Sequence, residues 1–180
     1  MMEARAQTPL LFQRALMEEM KGVAAGMLFH VPGKETMEPL NVYGQALPVP
    51  GIRTHTADYN VGAMDYQDTG ETDAVFKCPW CLVKIMNGSI PEINGPQQVE
   101  VGICFGIYNN SDENQGHMEI LNLIQRVYER FSVNPILAGQ YTCQGNFEWA
   151  LQEEDTYPYF FGAIGTVFQF RGYRRENIFT

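Results

Sequence analysis

The sequence predicts a single α+β domain in which two helices pack on one face of a four- to five-stranded sheet. Segments with helical periodicity and segments with alternating apolar residues follow one another along the chain. The links between adjacent strands are short, which favours a mainly antiparallel sheet and leaves mixed pairing open. A chain of 180 residues can bury about 70% of its unfolded surface in one core. We therefore expect one domain over residues 1–180.

The first helix is predicted to begin at Thr8-Pro9, where a hydroxyl at the N-cap precedes a proline at the first helical position. Gly22 and Gly26 indicate where it ends. One side of it is apolar, and this stripe comprises Leu11, Phe12, Ala15, Leu16 and Met20. We expect the stripe to pack in the core rather than to hold a cofactor.

Proline and glycine punctuate the segment from Val31 to Thr72, and only Leu40–Leu47 alternates as a short strand does. A polar loop occupies about residues 51–74. Such a long irregular connection is uncommon inside a domain, so we expect it to contact other subunits.

Two strands are predicted next, over Phe76–Ile90 and Val99–Ile107. Asn87-Gly88 resembles a tight hairpin turn, but the distance to Val99 in sequence predicts a longer connection. The second helix follows, with apolar residues at helical spacing: Ile120, Leu121, Ile124, Val127, Tyr128 and Phe131.

Pro135 is expected to end the helical pattern. The alternation over Tyr141–Leu151 predicts one continuous strand with one buried face, and Phe160–Phe170 predicts the last strand. A C-terminal tail covers about residues 172–180 and is basic because of its arginines.

A formal net charge of −9 argues against binding nucleic acid by neutralising its phosphates. No apolar run approaches the ~20 residues of a membrane span, and the amino terminus lacks the apolar core of a signal peptide. We therefore expect synthesis in a cytoplasm and no membrane partner.

Cys78-Pro79-Trp80-Cys81 has the spacing of a redox dithiol. Such a site needs a helix N-terminus that lowers the pKa of the first thiol, and here the sequence continues as a strand. A zinc site would need Cys104 and Cys143 to join the pair, yet they lie in separate strands. We expect the cysteines to be free thiols. A small redox or zinc protein that uses Cys78 and Cys81 is a remote alternative.

The other reactive side chains form no catalytic constellation. His30, His55 and His117 are scattered without metal-ligand spacing. We therefore predict that the protein is not an enzyme and has no catalytic, metal or cofactor-binding residues and no cofactor.

Two features precede the last strand. Glu153-Glu154-Asp155 is an acidic run in a turn, for which a solvated cluster is the default interpretation. The aromatic run Tyr157-Pro158-Tyr159-Phe160-Phe161 either closes one end of the core or contacts another protein.

Segments from Asn41 to Phe170 together resemble one known family. Asn41–Pro50 resembles a "VYxQxLPxP" segment. Val99–Tyr108 followed by Gly116–Val127 is similar to "VxIxIGxY…GYxDLLNLIERIR", and Phe147–Gly162 to "WELPEEQPYPYWFG". These patterns occur in this order in minor tail proteins of long-tailed bacteriophages and prophages. The longer loop from Gly51 to Thr72, Ala150 in place of a charged residue and the arginine-rich tail depart from the pattern.

The resemblance implies a virion structural protein of the tail or neck, assembled in the host cytoplasm. The nearest role is the tail terminator, a hexameric ring that caps the tail tube and joins it to the head. Its partners would be copies of itself, the tail tube protein and the head–tail connector protein, while DNA passes through the channel without specific binding. Another neck or head-completion protein is the alternative.

The candidate interface and channel residues complete these expectations. The candidate subunit-interface residues are Tyr43, Gln45, Pro48, Tyr157, Pro158 and Tyr159. The candidate channel-lining residues are Glu153, Glu154 and Asp155, with the acidic residues of the loop at 58–73 as the alternative, and their charge would keep passing DNA from adhering.

Overall fold

Residues 7–48 and 78–172 are described by the computed structural model. In these two ranges the chain forms two helices and nine strands of one sheet, and these confirm the predicted α+β class. The elements are α1 (Pro9–Val23), β1 (Phe29–His30), β2 (Met37–Glu38), β3 (Asn41–Gly44), β4 (Trp80–Ser89), β5 (Gln97–Tyr108), α2 (His117–Val133), β6 (Ile136–Leu137), β7 (Tyr141–Cys143), β8 (Glu148–Leu151) and β9 (Tyr159–Phe170). The predicted loop at 51–74, His55 and all of the predicted tail except Gly172 lie outside the described residues.

Three long antiparallel strands, β4, β5 and β9, form the centre of the sheet. β5 pairs with β9 over its whole length, from Gln97↔Phe170 to Tyr108↔Tyr159. Short strands of two to four residues raise the number of strands in the described sheet above the four to five that the sequence periodicity predicts. β3 runs parallel to β4, so the pairing is mixed at that position.

Both helices cover the same face of the sheet. Phe12 of α1 and Phe131 of α2 contact the Phe168 ring of β9, at centroid distances of 4.9 and 5.2 Å. α1 begins as predicted, because the Thr8 hydroxyl accepts a hydrogen bond from the Leu11 N–H at 3.2 Å. Neither described helix is long and apolar enough to cross a membrane.

The connection between β4 and β5 is the longer one that the sequence predicts. Asn87 and Gly88 lie within β4 and pair with Glu100 and Val99, so they do not form the turn. A bulge between Ile85 and Asn87 shifts the register of this pair of strands.

The prediction of one continuous strand over Tyr141–Leu151 is wrong. The segment forms β7 and β8, which pair with different parts of β9 and are interrupted around Gly145, where φ is 78°. Only glycine adopts this backbone conformation readily. Beyond the break Phe147 and Leu151 are only partly buried against the core, and Trp149 between them is 59% exposed.

Candidate interaction surface

The sheet carries an aromatic cluster on the side opposite the helices. Along β4, β5 and β9, alternate residues belong to the main core and to this cluster, because successive side chains of a strand point to opposite faces. We call the cluster the aromatic face; it comprises Tyr43, Leu47, Cys78, Trp80, Leu82, Cys104, Tyr108, Tyr159 and Phe161.

Trp80 lies at the centre of the aromatic face. Its ring is 6.0 Å from that of Phe161. The indole lies directly against Gly106 of β5, where a Cβ atom would come within 2.3 Å of Trp80 Cε2. Glycine on the central strand therefore makes room for the indole. Trp80 is buried, whereas Tyr108 and Phe161 are half-buried and keep part of their apolar surface in contact with solvent.

The structure brings together two of the predicted interface residues, Tyr43 and Tyr159, within the aromatic face. Gln45 has a different role. Its side-chain amide accepts a hydrogen bond from the Ile85 N–H at 3.0 Å and donates one to the Ile85 carbonyl at 3.1 Å. The amide thereby continues the pairing of β3 with β4 by one residue. Pro48 is the last residue of the first described range.

Tyr157 and Pro158 join the loop before β9 to the loop after β5. The Tyr157 hydroxyl donates to the Asn110 carbonyl at 3.1 Å, and the Pro158 carbonyl accepts from the Asn109 N–H at 2.9 Å. The Tyr157 side chain remains 45% exposed. The predicted aromatic run thus closes one end of the sheet, and it also leaves a tyrosine exposed to solvent.

Acidic side chains surround the same end of the sheet. The exposed carboxylates belong to two loops: Asp112, Glu113, Glu153, Glu154 and Asp155. Part of this acidic end lines a depression of about 260 Å³, together with His117 and Phe160. The candidate channel residues therefore occupy one end of the molecule.

Glu119 lies in the first turn of α2 near this end. Its Oε1 accepts a hydrogen bond from Asn109 Nδ2 at 2.7 Å, while its Oε2 is buried and has no hydrogen-bond partner among the described residues. Burial raises the pKa of this carboxyl, although the bond from Asn109 and the nearby His30 oppose the shift. Glu119 links the start of the loop to the helix.

The paired thiols of the CxxC motif lie on opposite faces of the sheet, because Cys78 belongs to the aromatic face and Cys81 to the main core. Burial raises the pKa of the Cys78 thiol to about 12. Burial also raises the pKa of Cys81. Thiols with a high pKa are poor nucleophiles and poor metal ligands. Within 7–48 and 78–172, no three or more His, Cys, Asp or Glu side chains are grouped to hold a metal ion.

Sequence reasoning missed Trp80 and Tyr108 as members of this surface, whereas Phe161 belongs to the aromatic run that it singled out. A usable signal was present in the sequence. The first three residues of β4, Trp80–Leu82, and of β9, Tyr159–Phe161, are all apolar or aromatic, so both faces of each strand are apolar there. A strand that is apolar on both faces is typical of a sheet covered on both sides.

No protein-family model matches the chain, and no curated protein matches it significantly. The aromatic face and the acidic end are therefore the features on which its function can be argued.

Proposed function

We propose that this protein is a structural subunit of a long-tailed phage particle, and that its role is the tail terminator. Copies of the chain associate into a hexameric ring that caps the tail tube and joins it to the head–tail connector. The observation that carries the proposal is the aromatic face. It leaves Tyr43, Tyr108, Tyr159 and Phe161 half-buried on the side of the sheet that no described helix covers. Aromatic side chains at a protein surface are enriched where another protein binds.

The resemblance to phage tail proteins supports the same conclusion. Two interface residues that the resemblance implies, Tyr43 and Tyr159, belong to the aromatic face, and Tyr157 borders it with an exposed side chain. The proposal places the protein in the tail or neck of the virion.

We further propose that Glu153, Glu154 and Asp155 face the channel of the ring. All three are exposed at one end of the sheet, where their charge repels DNA phosphates and so keeps the channel free of bound DNA. Reversing all three to lysine should slow DNA ejection from assembled particles. The matched control is Glu92→Lys in the turn between β4 and β5, at the opposite end of the sheet. Unchanged ejection by the triple variant would refute the channel assignment.

The experiment that tests the role is binding of the purified chain to isolated tail tubes and, separately, to the head–tail connector. A tail terminator binds the tube end. Binding to the connector alone would favour a different neck protein. Tyr43→Asp should weaken either association at least tenfold, since it places a charge in the aromatic face. Val133→Asp, at an 87% exposed position on α2, should leave the association unchanged.

A further inference from the structure

β8 forms an open edge of the sheet. It pairs with β9 from Glu148↔Gly165 to Leu151↔Gly162, and the next residue, Gln152, donates its N–H to the Phe161 carbonyl. Because an antiparallel ladder alternates, the backbone groups of Trp149 and Leu151 then point away from β9. In the part of the chain that the structure describes, no strand pairs with this outer side. An unpaired edge is a template for another strand.

The side chains at this edge are unusual for a surface strand. Trp149 is 59% exposed and lies opposite Ile164, so its indole is on the helix side of the sheet. Tyr128 of α2 is 46% exposed and packs edge-on against Phe147 at 5.3 Å. Glu148 is exposed on the same strand, and the acidic end follows directly after it. Glu148 and Trp149 are successive residues and so point to opposite faces, where one arginine can lie over the indole and a second can pair with the carboxylate.

The sequence supplies a segment with the matching chemistry. Directly after Gly172 come Tyr173, Arg174 and Arg175, an aromatic residue and two cations. We propose that this segment of one copy adds as a strand to the β8 edge of a neighbouring copy, with its arginines over Trp149 and against Glu148. Backbone hydrogen bonds to a sheet edge and side-chain contacts at alternate positions are the usual components of strand addition.

The segment cannot reach the edge of its own chain. Gly172 follows β9, and Ile164, which faces Trp149, lies eight residues earlier, or about 26 Å along the strand. Three fully extended residues place the Arg175 Cα within about 11 Å of Gly172. The remaining distance of about 15 Å exceeds the length of an arginine side chain. The contact is therefore between copies.

An edge on one copy and a segment on the next make a heterologous contact, which closes into a ring when the rotation between copies allows it. The inference thus rests on the proposed self-assembly and names one contact that produces it.

The test is the binding of a fluorescently labelled synthetic peptide with the sequence of residues 171–177, measured by anisotropy. The protein is the full chain carrying Arg174→Glu and Arg175→Glu, so that its own segment does not compete. We expect saturable binding that weakens as salt is added. Glu148→Arg and Trp149→Ala should each weaken it at least tenfold, whereas Glu92→Arg should not change it. A peptide with glutamate in place of Arg174 and Arg175 should bind the Glu148→Arg protein.

Absence of binding, or equal binding of a scrambled peptide, would overturn the inference while leaving the proposed function standing if the wild-type chain still assembles. If the chain binds the peptide specifically but never assembles, alone or on tail tubes, the strand-addition contact is supported and the proposed function is refuted. The β8 edge would then bind the segment without serving ring assembly.

Discussion

Replacing Gly106 by alanine should destabilise the protein through a clash with Trp80. The new Cβ would lie 2.3, 2.4 and 2.7 Å from three atoms of the indole, whereas carbon atoms in good contact are about 3.5–4.0 Å apart. Trp80 faces Gly106 directly across the β4–β5 pair, so the ring cannot turn away without leaving the aromatic face. Overpacking of this kind costs about 1–3 kcal/mol.

Gly102→Ala is the matched control, because Gly102 lies on the same strand and the same face. Its added Cβ would meet only the flexible Met86 side chain, with the sulfur at 3.5 Å. Both substitutions should raise the free energy of unfolding by the same amount, about 0.5–1 kcal/mol, because alanine loses less backbone entropy on folding than glycine. The difference between the two variants therefore isolates the clash.

The assay is urea denaturation of both variants, supported by thermal melts. A difference of about 2 kcal/mol corresponds to a midpoint lower by about 4–8 °C in a chain of this size. Trp80→Leu in the Gly106→Ala background should recover part of the loss. Equal stability of Gly106→Ala and Gly102→Ala would show that the indole does not occupy the described position.

Four further predictions concern the core, the first helix, a carboxylate and the thiols. Phe12→Ala should lower the free energy of unfolding by about 3–5 kcal/mol, because the ring is fully buried between the helix and the sheet; a loss below 1 kcal/mol in denaturant would contradict the packing. Thr8→Ala should lower the free energy of unfolding by about 1 kcal/mol because the N-cap hydrogen bond is lost, whereas Thr8→Ser should lower it far less. Equal losses would show that the hydroxyl does not cap the helix. Burial raises the pKa of Glu119 above its ordinary value of 4.5, so ionising this carboxyl opposes folding. Glu119→Gln should therefore gain stability relative to wild type as the pH is raised above that value, and thermal melts showing a constant difference would refute this. Cys81 lies in the main core and away from the aromatic face, and removing it alone disables the CxxC pair; Cys81→Ala should leave binding to tail tubes intact in the assay above, and loss of binding by a folded variant would favour a redox or metal site.

The sequence predicts the long elements well, because their signals are local. The hydroxyl and proline at Thr8-Pro9 set the start of α1, and the alternation of β5 matches its observed burial except at Gly106, which is buried under the Trp80 indole. The short strands β1, β2 and β6 have two residues each, too few for any periodicity to appear.

The failure over Tyr141–Leu151 has a specific cause. Alternation records which residues are apolar and does not detect a residue with positive φ, so Gly145 counted as one more member of the strand. The same error placed Trp149 in the core, although it is the exposed residue on which the proposed edge contact depends.

The candidate surface was only partly predictable, because it depends on which strands become neighbours. Tyr43 and Tyr159 lie far apart in sequence, and the pairing of β3 with β4 and of β5 with β9 brings them to one face. The separation of Cys78 from Cys81 depends on the position at which β4 begins, since only the strand conformation places Cys81 in the main core.

Electron microscopy of the purified chain, alone and mixed with isolated tail tubes, tests the central claim most directly. The account predicts a six-fold ring with a central hole, free in solution or seated on tube ends, and a mass near six times 20.4 kDa. A particle of 20.4 kDa under both conditions, with bare tube ends, would contradict it.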